Sequence, residues 1–209
     1  MSPEFFPAVR TYVDERIAEF GRIPESRKRQ LREITEYVQS CRRANRPARL
    51  TFICTHNSRR SHLSQIWAAV AADRFGIDGV ETFSGGTEAT AFAPQAIAAI
   101  ERAGLKVTTP PDENNPRHEV RYQDSGRVLV CFSKVYHDAP NPSGDYCAVM
   151  TCTHADANCP VVRGAALRLA VPFDDPKSAD GSPAESATYD ERCRQIAREM
   201  LFAFSEIES

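Results

Sequence analysis

One stretch of the chain decides the fold: Leu50-Thr51-Phe52-Ile53-Cys54-Thr55-His56-Asn57-Ser58-Arg59-Arg60-Ser61. Its apolar start, residues 50–53, predicts a short buried strand. Apolar residues then recur at helical spacing from Leu63 to Val70, so a helix is predicted over residues 61–75. The polar residues between strand and helix must form a loop that joins the end of one to the start of the other.

The composition of this loop predicts a site for a tetrahedral oxyanion. Its backbone N–H groups can surround an anion, and the following helix adds the positive end of its dipole. Arg60 offers a planar guanidinium that can bind two anion oxygens at once. The Cys54 sulfur, stabilised as a thiolate by the same groups, can attack the central atom of the anion. The predicted oxyanion-binding residues are Thr55, His56, Asn57, Ser58, Arg59 and Arg60.

Three further side chains of the stretch have predicted positions. Asn57 is expected to lock the loop backbone by side-chain hydrogen bonds, and Ser61 to donate its hydroxyl to the Cys54 thiolate. Neighbouring side chains diverge, so we expect Arg59 to face solvent while Arg60 faces the anion.

Outward from this stretch, strands and helices alternate. Strands are predicted at residues 80–83, 147–151 and 166–171, and a hairpin or extra strand pair at 120–122 and 128–132. Helices are predicted from Pro94 to just before Gly104 and over residues 186–207. This order predicts an α/β fold with a parallel sheet of four or more strands and helices on both faces.

The first part of the chain has a different pattern. Apolar stripes predict two helices before residue 48, which divides the chain into a two-helix extension (residues 1–48) and an α/β domain (residues 49–209). The cluster Arg27-Lys28-Arg29 with Arg32 lies between the stripes, and we interpret it as the solvated face of a helix, with a nucleic-acid patch as the alternative.

Bulk properties exclude several kinds of partner. The chain has 209 residues, a net charge of −2, 42% hydrophobic and 26% charged residues. This balance gives no electrostatic reason to expect nucleic acid or an anionic membrane. Since no apolar run approaches the roughly 20 residues of a membrane helix, and the start of the chain has no signal-peptide pattern, we expect a cytoplasmic protein.

The seven cysteines fall into two groups. Structural disulfides are not expected in a reducing compartment. Four cysteines lie in apolar or helical patterns and are interpreted as inert core thiols: Cys41, Cys131, Cys147 and Cys193. The other three, Cys54, Cys152 and Cys159, are candidates for chemistry.

Asp175, in Pro172-Phe173-Asp174-Asp175-Pro176, is the candidate proton donor. An oxyanion reaction needs a proton for the departing oxygen, and a carboxyl group close to the anion is expected to have a raised pKa. Pro176 stiffens the loop that carries Asp175. Asp-Asp-Pro is also a common turn signal, so the catalytic interpretation depends on the oxyanion loop.

The loop and the Asp-Pro pair resemble those of low-molecular-weight tyrosine phosphatases and of thioredoxin-coupled arsenate reductases. The segment from Val149 to Pro160, with Cys152 and Cys159, closely resembles the redox segment of the arsenate reductases. The resemblance implies a relay in which Cys54 attacks arsenate, Cys152 attacks the adduct, and Cys159 then moves the disulfide to Cys152–Cys159 for a thioredoxin-like reductant. It implies no cofactor. The competing interpretations of these cysteines are a zinc half-site with His154 and inert thiols.

The chain departs from the family pattern in several places. The two N-terminal helices have no counterpart in the minimal fold, His56 replaces a usual glycine, and Gln65 replaces a carboxylate that helps bind a monovalent cation in some members. Lys177 stands where the phosphatases usually have an aromatic residue. The alternative function is phosphomonoester hydrolysis through a Cys54 phosphoenzyme. A third hypothesis is an anion-binding or redox-sensing module, with the N-terminal helices as its output or dimer surface. This hypothesis requires solvent-exposed apolar residues such as Phe5 and Phe6.

Overall fold

The computed structural model describes residues 4–111, 114–158 and 161–208. Its helices are α1 (Pro7–Ala18), α2 (Glu25–Arg43), α3 (Arg60–Arg74), α4 (Pro94–Arg102), α5 (Thr153–Asn158) and α6 (Glu185–Ser205). Its strands are β1 (Ala48–Cys54), β2 (Val80–Gly86), β3 (Lys106–Thr108), β4 (His118–Arg121), β5 (Leu129–Cys131), β6 (Tyr146–Met150) and β7 (Ala165–Ala170). Short 3₁₀ turns cover Phe20–Arg22 and Pro176–Ala179.

The central sheet has four parallel strands in the order β2-β1-β6-β7. This confirms the predicted four-stranded parallel sheet. Since β1 is an inner strand, Cys54 at its end lies between the ends of β2 and β6, with Cys54 paired to Gly86. The carboxyl ends of parallel strands form one edge of a sheet, and this edge is where α/β folds bind their ligands.

Alternate residues of the inner strands serve two apolar clusters, one on each face of the sheet. Phe52 and Val149 belong to the larger cluster, which includes residues of α2, α3 and α6. Ile53 and Met150 belong to the smaller one, with Ala155 of α5. Helices therefore lie on both faces, as predicted, and among the described residues the helix on the second face is the short α5.

A separate antiparallel sheet joins β3, β4 and β5. The β4–β5 pair, with Val120 opposite Leu129, is the predicted hairpin. The third strand, β3, was not predicted because its three residues are mostly exposed and too few to show a periodic pattern.

The N-terminal helices pack against α6. Val9 of α1 and Leu31 of α2 are fully buried in the same apolar cluster as the sheet. Phe5 and Phe6 are also buried, which removes the exposed apolar surface that the third hypothesis needed. The division at residue 48 and the homodimer stay predictions. No described helix is long and apolar enough to cross a bilayer.

The interpretation of the arginine cluster was wrong for its first member. The Arg27 side chain is only 13% exposed and forms an ion pair with Glu199 of α6, whose side chain is 4% exposed. Arg32 is half-exposed and pairs with Glu206, as a surface residue does. The difference arises because α6 covers one side of α2.

Candidate active site

Cys54 is held in a hydrogen-bonded network inside its loop. Its sulfur is buried and lies 3.1 Å from the Ser61 hydroxyl oxygen. The Asn57 amide donates to that oxygen at 2.9 Å. Because the Ser61 oxygen already accepts from Asn57, its own proton is available for the Cys54 sulfur.

Asn57 also fixes the loop backbone. It adopts a φ of 44°, in the left-handed region that asparagine tolerates better than most residues. Its side-chain oxygen accepts from the Lys134 backbone N–H at 3.0 Å. Asn57 thereby joins the loop to the segment that follows β5.

The loop carbonyls are bound from outside. Backbone or side-chain donors of Thr87, Glu88, Thr90, Ala93 and Ser133 bind the carbonyl oxygens of Cys54, Thr55, His56 and Ser58. The C=O and N–H of one trans peptide unit point in opposite directions. Hence the N–H groups that follow these carbonyls point away from these donors, as an oxyanion site within the loop requires.

Arg59 and Arg60 both bind Asp175. Arg59 Nε donates to one carboxylate oxygen at 2.8 Å, and Arg60 Nη2 donates to the other at 2.6 Å. Arg59 is buried, so the expectation that it faces solvent was wrong: the carboxylate draws it inward. Arg60, the first residue of α3, also donates through Nη1 to the Phe173 carbonyl at 2.9 Å. Its buried Nε has no partner among the residues described.

The expectation of a raised Asp175 pKa was also wrong for this state. Burial raises the pKa of Asp175, but the charges of Arg60 and Arg59 and the Lys177 N–H lower it by more. The net effect is a pKa below the usual value. The carboxyl group is therefore ionised at neutral pH while both arginines hold it.

Cys152 lies beside the loop. It follows β6, is 1% exposed, and its sulfur accepts from the Ala155 N–H of α5 at 3.3 Å. The Thr55 hydroxyl lies 3.6 Å from this sulfur and 3.3 Å from His154 Nδ1. Cys152 thus contacts the residue next to Cys54. Cys159 lies outside the described residues, and in the ranges described no group of three His, Cys, Asp or Glu side chains could hold a metal.

Sequence reasoning missed the charged and aromatic groups behind the loop. His62 of α3 is fully buried, stacks on Phe92 and lies 3.1 Å from the Ser84 hydroxyl. Burial, together with the charge of Lys134, lowers the pKa of His62, so it is neutral. Burial also lowers the pKa of Lys134 to about 8. Lone His and Lys residues give no sequence signal of such a position.

The cysteines interpreted as inert are all buried. Burial raises the pKa of Cys131 to about 12 and that of Cys193 to about 11. Thiols of this kind are poor nucleophiles at neutral pH.

Gln65 donates to the Thr82 carbonyl at 3.2 Å, while its buried Oε1 has no partner within the described part of the chain.

Solved structures share this architecture. The low-molecular-weight protein tyrosine phosphatase of T. tengcongensis superposes with a TM-score of 0.51 at 14% identity, covering 77% of this chain and 99% of that one. A YwlE mutant from Bacillus subtilis gives the same TM-score at 13% identity, covering 76% and 97%. The chain has the low-molecular-weight phosphatase fold.

The curated relatives found by sequence are arsenate reductases. The arsenate reductase of Bacillus cereus (strain 03BB102) is 25% identical over 157 residues, which is 75% of this chain and 92% of the relative. That of Bacillus subtilis (strain 168) is 24% identical over 74% of this chain and 93% of its own length. No family model matches the chain. Sequence similarity and fold together support an enzymatic role for the chain.

Proposed function

We propose that the protein reduces arsenate to arsenite through Cys54, Cys152 and Cys159, with a thioredoxin-like dithiol as reductant. The observation that carries this proposal is the position of Cys152, whose sulfur lies 3.6 Å from the hydroxyl of Thr55, the residue after the nucleophile. A hydrolytic phosphatase needs no second thiol at that place.

In the first step arsenate enters the loop and the Cys54 thiolate attacks arsenic. Arg60 keeps its Nη1 on the Phe173 carbonyl and offers Nε and Nη2 to the anion, which displaces Asp175 from Nη2. The carboxylate then loses an ion pair and faces a negative charge, and both changes raise its pKa. Asp175 can then give its proton to the departing oxygen, which leaves as water.

In the second step the Cys152 thiolate attacks the Cys54 sulfur. A Cys54–Cys152 disulfide forms as the sulfur–arsenic bond breaks, and its electron pair stays on arsenic, which leaves as arsenite. The two thiolates supply the two electrons of the reduction. In the third step the Cys159 thiolate attacks the Cys152 sulfur, which releases Cys54 as a thiolate and forms Cys152–Cys159. An external dithiol then reduces this disulfide.

The second candidate is phosphomonoester hydrolysis, favoured by the shared fold and by the contact of Asp175 with Arg60. Cys54 would form a phosphocysteine and Asp175 would protonate the leaving group. Arsenate and phosphate have nearly the same shape and charge, so the loop itself does not separate the two functions.

Steady-state kinetics with arsenate, thioredoxin, thioredoxin reductase and NADPH test the proposal. We expect arsenate-dependent NADPH oxidation by the wild-type protein and none by the Cys152→Ser variant. Hydrolysis of a chromogenic phosphate ester should be the same in the two proteins, whether they show it or not. The matched control is Cys193→Ser, which changes a buried thiol on α6. Background NADPH oxidation by a folded protein whose Cys54 is alkylatable would overturn arsenate reduction by this route.

A further inference from the structure

An arginine of the N-terminal helical pair binds the loop that carries Asp175. Arg27 of α2 donates through Nη2 to the Pro172 carbonyl at 3.0 Å, and its guanidinium lies 4.8 Å from the centre of the Phe173 ring. The same guanidinium donates through Nε to Glu199 at 2.8 Å. The two bonds fix its plane, since a guanidinium is rigid and its donors have fixed directions.

Phe173 connects this arginine to the oxyanion loop. Phe173 is 4% exposed, and its N–H donates to the carbonyl of Thr151, one residue before Cys152, at 3.0 Å. Its carbonyl accepts from Arg60 Nη1. Two arginines, one from α2 and one from α3, therefore bind the adjacent carbonyls of Pro172 and Phe173, and Asp175 lies two residues after Phe173.

The hydrogen-bond partners of Arg27 hold its guanidinium at this position. A buried carboxylate or guanidinium is stable only when it is paired and its remaining bonds are made. Glu199 also accepts from Gln195 at 3.0 Å, and Arg27 Nη1 donates to Gln30 at 3.0 Å. The Pro172 carbonyl binds the third nitrogen of the Arg27 guanidinium, so every nitrogen of this group donates a hydrogen bond and the contact with the loop belongs to the same network.

We propose that Arg27 is a positioning residue: through Pro172 and Phe173 it holds the loop so that the Asp175 carboxyl stays within reach of the anion bound by Arg60. The N-terminal helices thereby contribute to the reaction, a role that rests on the proposed function. Asp175 acts in chemistry, whereas Arg27 touches neither the anion nor the sulfur.

Two substitutions of Arg27 test the proposal against a matched control. Arg27→Met removes the charge and the hydrogen bonds to Glu199, Gln30 and Pro172. Arg27→Lys keeps the charge beside Glu199 but has no planar fork to bind Glu199 and Pro172 together. The control is Arg32→Met, on the same helix, which removes the half-exposed pair with Glu206. Thermal unfolding of each variant reports whether the fold is retained.

The kinetic readout is arsenate turnover as a function of pH. In both Arg27 variants we expect kcat to fall about tenfold to a hundredfold, the loss associated with a misplaced catalytic group, with KM changed much less. We also expect the limb of the pH profile that reports Asp175 to move. Arg27→Lys should retain the fold yet keep the kinetic defect, and Arg32→Met should behave as wild type. A purely structural Arg27 would show the opposite: Lys restores kcat together with stability, and the pH profile stays unchanged.

Amide hydrogen exchange gives a readout that does not depend on arsenate chemistry. We expect faster exchange in peptides covering residues 172–177 for Arg27→Lys, and no change there for Arg32→Met. Unchanged exchange in this segment would overturn the positioning role even if turnover fell. Faster exchange in a protein without arsenate turnover would retain the loop contact and reject the proposed function.

Discussion

The sulfurs of Cys54 and Cys152 are both buried, but the structure that surrounds each of them is very different. Cys54 ends an inner strand and lies in a loop whose side chains and carbonyls are bound by α3, by the segment between β2 and α4, and by the segment after β5. Cys152 precedes a six-residue helix and contacts the Ala155 N–H and the Thr55 hydroxyl. The first arrangement suits a rigid anion site. The second suits a thiol that must leave one sulfur partner for another.

The first prediction tests the rigidity of the loop that holds Cys54. Gly86 lies opposite Cys54, and a Cβ there would lie 2.7 Å from both the Asn57 nitrogen and the Thr55 oxygen, so Gly86→Ala must displace the loop. We expect loss of nearly all arsenate turnover and a lower free energy of unfolding, by about 1–3 kcal/mol. Turnover assays and urea titration measure both. Gly21→Ala, where a Cβ meets nothing within 4 Å, should be silent; a silent Gly86→Ala would contradict the rigid loop.

The second prediction separates backbone strain from hydrogen bonding in the loop. Asn57→Ala loses the bonds to Ser61 and Lys134 and puts alanine at a positive φ. The control Asn45→Ala also puts alanine at a positive φ, since Asn45 has a φ of 50°, but it lies outside the site and does not affect those two bonds. We expect Asn57→Ala to cost about 1–3 kcal/mol more than Asn45→Ala and to slow alkylation of Cys54. Equal unfolding energies and equal alkylation rates would show that the network does not support Cys54.

The third prediction concerns the pH dependence of Asp175. Arg59→Met removes one of two charges that hold the Asp175 pKa low, so this pKa rises. A proton donor loses activity as pH rises through its pKa, so the alkaline limb of the pH–rate profile should move to higher pH. The ion pair also stabilises the fold above the usual carboxyl pKa, and this contribution is lost as pH falls through the lowered value. Arg192→Met, beside Asp174, is the control and should leave the limb in place.

The fourth and smallest effect concerns α5, the short helix that follows Cys152. Arg168 of β7 binds the Asp156 side chain and carbonyl and so ties α5 to the sheet. Partly exposed pairs contribute about 0.2–1 kcal/mol, so Arg168→Met should change arsenate turnover by about fivefold or less. Cys54 alkylation should not change, nor should either property in the exposed-site control Arg163→Met. A loss as large as that of Gly86→Ala would mean that α5 is as rigidly required as the loop.

Local patterns made the sheet and the loop predictable. The strand at Leu50 and the helix after Ser61 follow from apolar periodicity, and the order of strands and helices gave the parallel sheet. Two short elements, β3 and α5, lacked a pattern long enough to detect.

Contacts between distant parts of the chain could not be predicted. The contact of Arg27 with Pro172 and the inward turn of Arg59 toward Asp175 join residues more than a hundred positions apart. No local pattern encodes such pairs, and the lowered pKa of Asp175 follows from the second of them.

The most direct test of the three-cysteine account is to map the disulfide formed when the reduced protein meets arsenate without an external reductant. Alkylation followed by peptide mass spectrometry identifies the pair. The account predicts one Cys152–Cys159 bond, a free Cys54, and one arsenite released per protein. Fully reduced thiols with arsenate unconsumed, or a disulfide that leaves out Cys152, would contradict it.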